Sequence, residues 1–182
     1  MRIFPAGRVL ALTLGAAAVL SGCSEGSESA AAKLPERPCF GVFTRSDLEP
    51  LMGEGHEVKD DSPTDLSLNA YRRSATCTID VDGEGRVLVT ATRQPLGDHF
   101  FWPPTDANQP APEPLALGDK GMVWDTGARV TLTCKGPADS FELALGVSGS
   151  TEHMKAADRR PLFTGLMKKY LEVAKQQTRC GI

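Results

Sequence analysis

The sequence predicts an α+β fold, a two-layer sandwich in which a short N-terminal and a long C-terminal helix pack on an antiparallel sheet of about five strands. Alternating apolar and polar residues in the middle of the chain indicate two β-hairpins. Apolar residues at helical spacing indicate one helix before and one helix after these hairpins. Four cysteines distributed among the predicted elements indicate two disulfides that join helices to strands.

The first hairpin is predicted at residues 75–94. Cys77, Ile79 and Val81 alternate with polar residues, so their side chains share one face of a strand. The sequence Asp82-Gly83-Glu84-Gly85 favours a turn, and the β-rich residues that follow it form the returning strand.

The second group of strands is predicted at residues 121–124, 128–134 and 141–147. Apolar residues again alternate with polar ones, and a Gly-Pro sequence at 136–137 favours a turn between the last two strands. Together with the first hairpin, these segments account for about five strands.

The predicted helices lie at the two ends of the folded region. Ser46 and Glu49 have the spacing of a capping box, and Gly53 is suited to end the short helix that they begin. The long helix is predicted at residues 161–178, where apolar residues recur at helical spacing and Pro161 suits the first helical position.

The first residues of the chain have the features of a lipoprotein signal peptide. Arg2 and Arg8 form a positive region, and the apolar run 9–20 is shorter than the roughly 20 residues that a membrane-spanning helix needs. The run ends in Leu20-Ser21-Gly22-Cys23, a lipobox in which the Cys23 thiol accepts the lipid and becomes the first residue after cleavage. The sequence therefore predicts a signal peptide at 1–22, and a protein anchored to the outer face of the cytoplasmic membrane.

Composition predicts the organisation of the chain after the signal peptide. Residues 23–37 are rich in Ser, Glu and Ala, which predicts a flexible tether, and residues 38–182 form a single domain. Loss of Arg2 and Arg8 with the leader, which contains no acidic residue, shifts the formal net charge from −3 to −5. A mildly acidic exported chain argues against nucleic acid as a partner.

The four cysteines of the domain are far apart in the sequence. Zinc sites usually contain close pairs such as Cys-x-x-Cys, so disulfides are the preferred interpretation. Four cysteines allow three pairings. We favour Cys39–Cys77 and Cys134–Cys180, because each of these bonds joins a terminal helical segment to a strand.

The segment 95–114 combines several prolines with three adjacent aromatic residues, Phe100, Phe101 and Trp102. These rings either fold back as a cap on the core or form one wall of a binding surface for an apolar or carbohydrate partner. The two interpretations differ in whether Trp102 is buried.

The sequence contains no arrangement that predicts catalysis. His56, His99 and His153 lack spacings that link them into a site, and residues 146–150 resemble a nucleophile elbow without its last glycine. The acidic residues between 54 and 65 lack the pattern of a calcium loop. We therefore expect no enzyme activity, no metal and no cofactor.

Several motifs carry a resemblance to known proteins. They are Pro38-Cys39-Phe40-Gly41, Ser74-Ala75-Thr76-Cys77, Thr92-Arg93-Gln94-Pro95, Leu117-Gly118-Asp119-Lys120-Gly121 and Ala174-Lys175-Gln176-Gln177. In these motifs the chain resembles a group of actinobacterial, particularly streptomycete, lipoproteins without an assigned activity, over nearly all of the mature chain. It is more loosely similar to DUF3558-type lipoproteins and to extracytoplasmic sensor domains of mycobacterial type. The looser likeness implies sensing of a ligand or of the envelope.

Three classes of function remain, in decreasing order of expectation. The first is a binding or sensing module at the envelope, and the second is an interaction protein that docks on another envelope component. The third, an enzyme, would need a cleft that gathers distant titratable groups. The expected partners are the membrane, through the lipid on Cys23, and an envelope protein, a wall polymer or a small apolar ligand.

Overall fold

The computed structural model describes residues 29–96, 111–134, 139–148 and 154–180, which form a seven-stranded antiparallel sheet and two α-helices. The strands are β1 (Val58–Asp61), β2 (Ser74–Val81), β3 (Glu84–Pro95), β4 (Glu113–Pro114), β5 (Lys120–Trp124), β6 (Gly127–Cys134) and β7 (Asp139–Val147). The helices are α1 (Arg45–Met52) and α2 (Ala156–Thr178), and a 3₁₀ turn at Ala30–Lys33 precedes them. The predicted α+β fold, with a short N-terminal and a long C-terminal helix, is confirmed.

The sheet has the order β1-β2-β3-β7-β6-β5-β4, so the strands of the two predicted hairpins meet at its centre, where β3 pairs with β7. The number of strands exceeds the predicted five because the prediction did not include β1 and β4, which are short strands at the two edges of the sheet. Their sequences, Val-Lys-Asp-Asp and Glu-Pro, carry no apolar alternation. Charged residues and proline at a sheet edge also discourage pairing with another chain.

A tight turn joins β2 and β3. Asp82 and Gly83 have φ values of 52° and 80°, the left-handed conformation that both central residues of a type I′ hairpin turn require. The turn is therefore two residues long, shorter than the predicted four. A register shift between Ile79 and Asp80 accommodates the remaining residues in the ladder.

Helix α1 begins earlier than predicted. Its N-cap is Thr44, whose side chain accepts from the Asp47 N–H while the Asp47 carboxylate accepts from the Thr44 N–H. The capping box predicted at Ser46 and Glu49 is therefore wrong. In this position Asp47 also forms an ion pair with Lys169 of α2, a tertiary contact that the local sequence does not show.

Helix α2 also begins earlier than predicted, at Ala156, and Pro161 lies inside it. Proline removes one backbone hydrogen bond from a helix interior. Two features of the extra N-terminal turn offset the loss of this hydrogen bond. Ala156 and Ala157 favour helix, and Arg160 forms ion pairs with Asp125 and Glu113. The predicted start at Pro161 is therefore wrong.

The predicted tether is wrong over its second half, residues 29–37. Ala30, Ala31 and Leu34 are buried in the hydrophobic core, and the Ala30 N–H donates to the Gly53 carbonyl at 3.0 Å. Alanine is typical of a flexible segment by composition, but its small side chain also suits close packing against a helix. The folded domain therefore includes Ser29, whereas the prediction placed its start at Pro38.

The core lies between the helices and one face of the sheet. Strand registers place Cys77, Val89, Leu145 and Ala128 side by side on this face, and all four are buried. Both predicted disulfides are present, Cys39–Cys77 with a Cα–Cα distance of 5.2 Å and Cys134–Cys180 with 4.9 Å. The first fastens the segment before α1 to β2, and the second fastens the end of α2 to β6.

One polar atom of the core lacks a partner. Tyr170 of α2 is fully buried, 6.2 Å between ring centroids from both Phe40 and Phe43, and its hydroxyl makes no hydrogen bond among the described residues. Burial raises the pKa of this hydroxyl well above its ordinary value. A buried hydroxyl without a partner costs about 1–3 kcal/mol.

The substitution Tyr170→Phe is therefore expected to raise the free energy of unfolding by about 1 kcal/mol, because it removes the unpaired hydroxyl and keeps the ring. Urea unfolding of the two proteins measures the difference. A loss of stability in Tyr170→Phe would show that the hydroxyl has a hydrogen-bond partner, and would contradict this account of the core.

Candidate binding surface

The two ends of the sheet differ in what they carry. We call the end at the Asp82–Gly83 turn the turn end; β3 and α2 begin there. We call the opposite end, where β3 finishes and Cys134 bonds Cys180, the cysteine end. Because β3 has 12 residues at about 3.3 Å each, the two ends lie roughly 35 Å apart.

The most exposed large apolar side chain among the described residues lies at the cysteine end. Tyr71, in the loop before β2, has a relative exposure of 101%. Its loop is nevertheless well fixed: the Asn69 side-chain carbonyl accepts from the N–H groups of Tyr71 and Arg72 at 2.8 and 3.0 Å. The Asn69 N–H in turn donates to the Arg72 carbonyl at 3.0 Å. The loop therefore holds the tyrosine ring out in solvent on a defined backbone.

A small cleft of about 150 Å³ lies next to this loop. It is lined by Ala70, Arg73, Arg93, Gln94, Pro95 and Asp139. The Arg93 N–H donates to the Arg73 carbonyl, so the loop and the end of β3 are joined by a backbone hydrogen bond. Leu96, which follows the lining residue Pro95 in the sequence, is 52% exposed. We refer to these lining residues with Tyr71 and Leu96 as the Tyr71 surface.

The floor of the cleft is held in place by an ion pair. Arg93 and Asp139 approach to 2.6 Å, and their side chains are only 21% and 11% exposed. The Gln94 side-chain carbonyl is buried and has no partner among the described residues. The cleft can therefore offer a cation at Arg73, beside the apolar surface of Tyr71 and Leu96. This combination suits binding and contains no nucleophile.

A second concave region, the helix groove, lies between α1 and α2. It consists of two adjoining cavities of about 280 and 420 Å³ that share Pro50 and Leu162. Their other lining residues are Ser46, Asp47, Pro161, Gly165, Leu166 and Lys169 in one and Met154, Lys155 and Asp158 in the other. A Cβ added at Gly165 would meet no atom within 4 Å. The groove is thus open and mainly apolar.

Two carboxylates are stabilised in their charged form: Asp47, in the first turn of α1, and Asp82, in the turn between β2 and β3. Burial opposes ionisation of Asp47, but hydrogen bonds from Lys169 and Thr44 outweigh it and lower the pKa of Asp47. Asp82 accepts from the Glu57 and His56 N–H groups at 2.8 and 2.9 Å, and these bonds lower its pKa. Both acids are therefore expected to contribute to the pH dependence of stability.

A depressed carboxyl pKa stabilises the fold above the ordinary pKa of about 4, and this contribution is lost as pH falls through the folded-state pKa. The free energy of unfolding should therefore fall below about pH 4. Asp82→Asn, which retains the accepting oxygen and tolerates the left-handed turn, should reduce this slope. Urea unfolding at pH 7 and pH 3 tests it, and an unchanged slope in Asp82→Asn would contradict the assignment.

The structure describes only some of the residues that the sequence singled out. Cys23, Phe100, Phe101 and Trp102 lie outside the described residues, as do His99 and His153.

Of the remaining candidates, His56 is exposed at the turn end, and Ser148 donates to the Gly85 carbonyl. Within the described ranges, no three His, Cys, Asp or Glu side chains are grouped so that they could hold a metal ion. Sequence reasoning missed Tyr71 and Arg73. The signal that could have found them is an Asn two residues before a Tyr-Arg-Arg sequence, just ahead of a predicted strand.

Comparison of the chain with family models, with curated proteins and with solved structures finds no match in any of the three. Among the helices of the described segments, none combines the length and the apolar composition that crossing a membrane requires.

Proposed function

We propose that this protein is a lipid-anchored module of the cell envelope that binds another envelope component, a protein or a wall polymer, through the Tyr71 surface. The observation that carries the proposal is the fully exposed Tyr71 ring on a loop fixed by Asn69. A binding surface that is already ordered loses little conformational entropy when a partner docks.

The composition of the Tyr71 surface supports this role. Tyrosine and arginine are the residue types that most often dominate binding energy at protein interfaces, because each combines a large contact area with polar groups. Here Tyr71, Arg73 and Leu96 lie at one end of the sheet, beside a cleft lined by Arg93, Gln94 and Asp139. The aromatic residues Phe100, Phe101 and Trp102 follow Leu96 in the sequence, and their role as part of the binding surface stays a prediction.

Anchoring through Cys23 is supported by the lipobox at residues 20–23 and by the apolar run before it. The two disulfides agree with an oxidising, extracytoplasmic location, since disulfides persist mainly in such compartments. The proposed location is the outer face of the cytoplasmic membrane.

The helix groove supports a second candidate function, binding of a small apolar ligand. Its cavities of about 280 and 420 Å³ approach the volumes of typical ligand sites, about 300–1,000 Å³, and their lining is mainly apolar. The groove is open, however, whereas ligand sites enclose most of a small molecule. We therefore rank this function below docking at the Tyr71 surface.

The anchor is tested by fractionation of cells that produce Cys23→Ala. We expect the wild-type protein in the membrane fraction and the variant either in the medium or as unprocessed precursor. A variant that is processed normally and remains in the membrane fraction would contradict lipidation at Cys23.

The binding surface is tested by crosslinking in intact cells, with Tyr71→Ala and the matched variant Gly165→Leu. Both positions are free of close contacts, so both variants should keep the thermal stability of the wild type, which a melting curve checks. We expect Tyr71→Ala to lose the crosslinked partner and Gly165→Leu, which fills the helix groove, to retain it. The reverse result would favour the groove over the Tyr71 surface.

A further inference from the structure

The folded domain begins only a few residues after the proposed lipid anchor. Ser29 forms a β-bridge with Glu54, and the next residue, Ala30, is fully buried and donates its N–H to the Gly53 carbonyl. Only residues 24–28 separate Cys23 from this ordered backbone. Six Cα–Cα steps span at most about 20 Å, whatever their conformation. The link is thus shorter than the roughly 35 Å length of the sheet.

The link also joins the domain at a defined place, the turn end. A Cβ on Gly55 would contact Val81, the last residue of β2, and the Cβ of Ala30 lies 3.4 Å from the same position. The Lys33 ammonium donates to the Gly55 and His56 carbonyls at 3.0 and 2.7 Å. The segment that follows the anchor is therefore bonded to the end of the sheet that carries the Asp82–Gly83 turn.

We propose that the turn end is the membrane-proximal end of the anchored domain, and that the Tyr71 surface is directed into the envelope, away from the lipid. This inference rests on the proposed lipidation of Cys23. The short link keeps Ser29 within about 20 Å of the headgroups. Because the domain cannot enter the bilayer, its cysteine end can tilt outward freely, but can tilt inward only until it meets the headgroups. On average, therefore, the Tyr71 surface lies farther out than the turn end.

The chemistry of the turn end fits a position close to lipid without insertion. Its exposed side chains include the acids Glu57, Asp82 and Glu84 together with Lys33 and Lys59, and one large apolar side chain of β3, Leu88, is 46% exposed. A surface of mixed charge, in which these acids outnumber these lysines, differs from the basic clusters that anionic headgroups attract. The covalent link, and not affinity for lipid, thus sets the position of the domain, and the partner of the Tyr71 surface is a component that reaches beyond the headgroups.

The test uses the mature chain 23–182, coupled through the Cys23 thiol to maleimide-bearing lipid in phosphatidylglycerol–phosphatidylcholine vesicles. The other cysteines of the chain are held in disulfides, so coupling is directed to Cys23. A fluorescent amino acid is encoded either at Glu84, at the turn end, or at Tyr71. Quenching by headgroup-spin-labelled lipid then reports the distance of each label from the membrane surface.

We expect the label at position 84 to lose most of its fluorescence and the label at position 71 to lose little. Insertion of a 20-residue Gly-Ser segment after Ser24 gives a link of about 25–30 Å root-mean-square length, and should reduce the quenching at 84. Equal quenching at the two positions, or stronger quenching at 71, would overturn the orientation and indicate that the Tyr71 surface rests on lipid. Because coupling is chemical, this outcome is independent of whether cells lipidate Cys23, which the fractionation decides.

Discussion

Replacing Cys134 and Cys180 together by alanine is expected to lower the free energy of unfolding by about 4 kcal/mol. The bond closes a loop with a sequence separation of 46 residues, and the loop-closure entropy that it removes from the unfolded chain corresponds to this value. Both cysteines are buried, so the variant also loses packing where α2 meets β6. The Cys39–Cys77 bond, with a separation of 38, should contribute a similar amount.

Denaturant unfolding of the oxidised proteins measures this loss, and Thr133→Ala, at the exposed residue next to Cys134, is the matched control. Removal of both disulfides should leave the domain largely unfolded, because small domains are stable by only about 5–15 kcal/mol. A loss below about 1 kcal/mol for the Cys134–Cys180 pair would contradict the role assigned to this bond.

The second large effect is expected at Leu34, inside the segment that composition assigned to the tether. Leu34 is 1% exposed and belongs to the hydrophobic core. Leu34→Ala should therefore cost about 2–5 kcal/mol of unfolding free energy, the usual range when a buried leucine is truncated. The same substitution in a flexible tether would cost nothing.

Glu36→Ala is the matched control for Leu34→Ala, since Glu36 lies in the same segment and is exposed. Urea unfolding of the two variants should show a large loss for the first and little change for the second. Equal stabilities would mean that the domain begins after residue 37 and would remove the geometric basis for a short link to the membrane.

The sheet could be predicted from the sequence because its central strands follow a simple rule. Cys77, Ile79 and Val81 alternate with polar residues, and the structure buries them on one face. The same periodicity places Cys77 and Cys134 on the inward face of their strands, where each can bond a cysteine of a terminal helical segment. Patterns that arise from burial on one face of an element are readable from sequence alone.

The element boundaries and edges could not be predicted, because tertiary contacts decide them. The helix start at Thr44 is accompanied by an ion pair between Asp47 and Lys169, which is distant in sequence. The segment 29–37 has a composition typical of disorder, yet Ala30 and Leu34 are buried in the domain core. Strand β4 contains only Glu113 and Pro114, too few residues to show a period.

No residue of the Tyr71 surface was predicted as a binding residue. The sequence directed attention to the aromatic residues after Leu96, which lie outside the described residues, so their role stays a prediction. The described site consists of the loop that carries Tyr71 and Arg73 and of residues contributed by β3 and β7. The Asn69-x-Tyr71 sequence favours a turn, but it does not show that the tyrosine is exposed. Its significance comes from complete exposure on a backbone fixed by Asn69, and that is a property of the folded structure.

The most direct test of the central claim, an anchored module that binds through its outer end, is photocrosslinking in living cells. A photoreactive amino acid is encoded at Tyr71, at Glu84 on the turn end, or at Gly165 in the helix groove. We expect a discrete crosslinked envelope protein or polymer from position 71 and none from positions 84 and 165. A discrete product from position 165 or 84, with none from position 71, would contradict it.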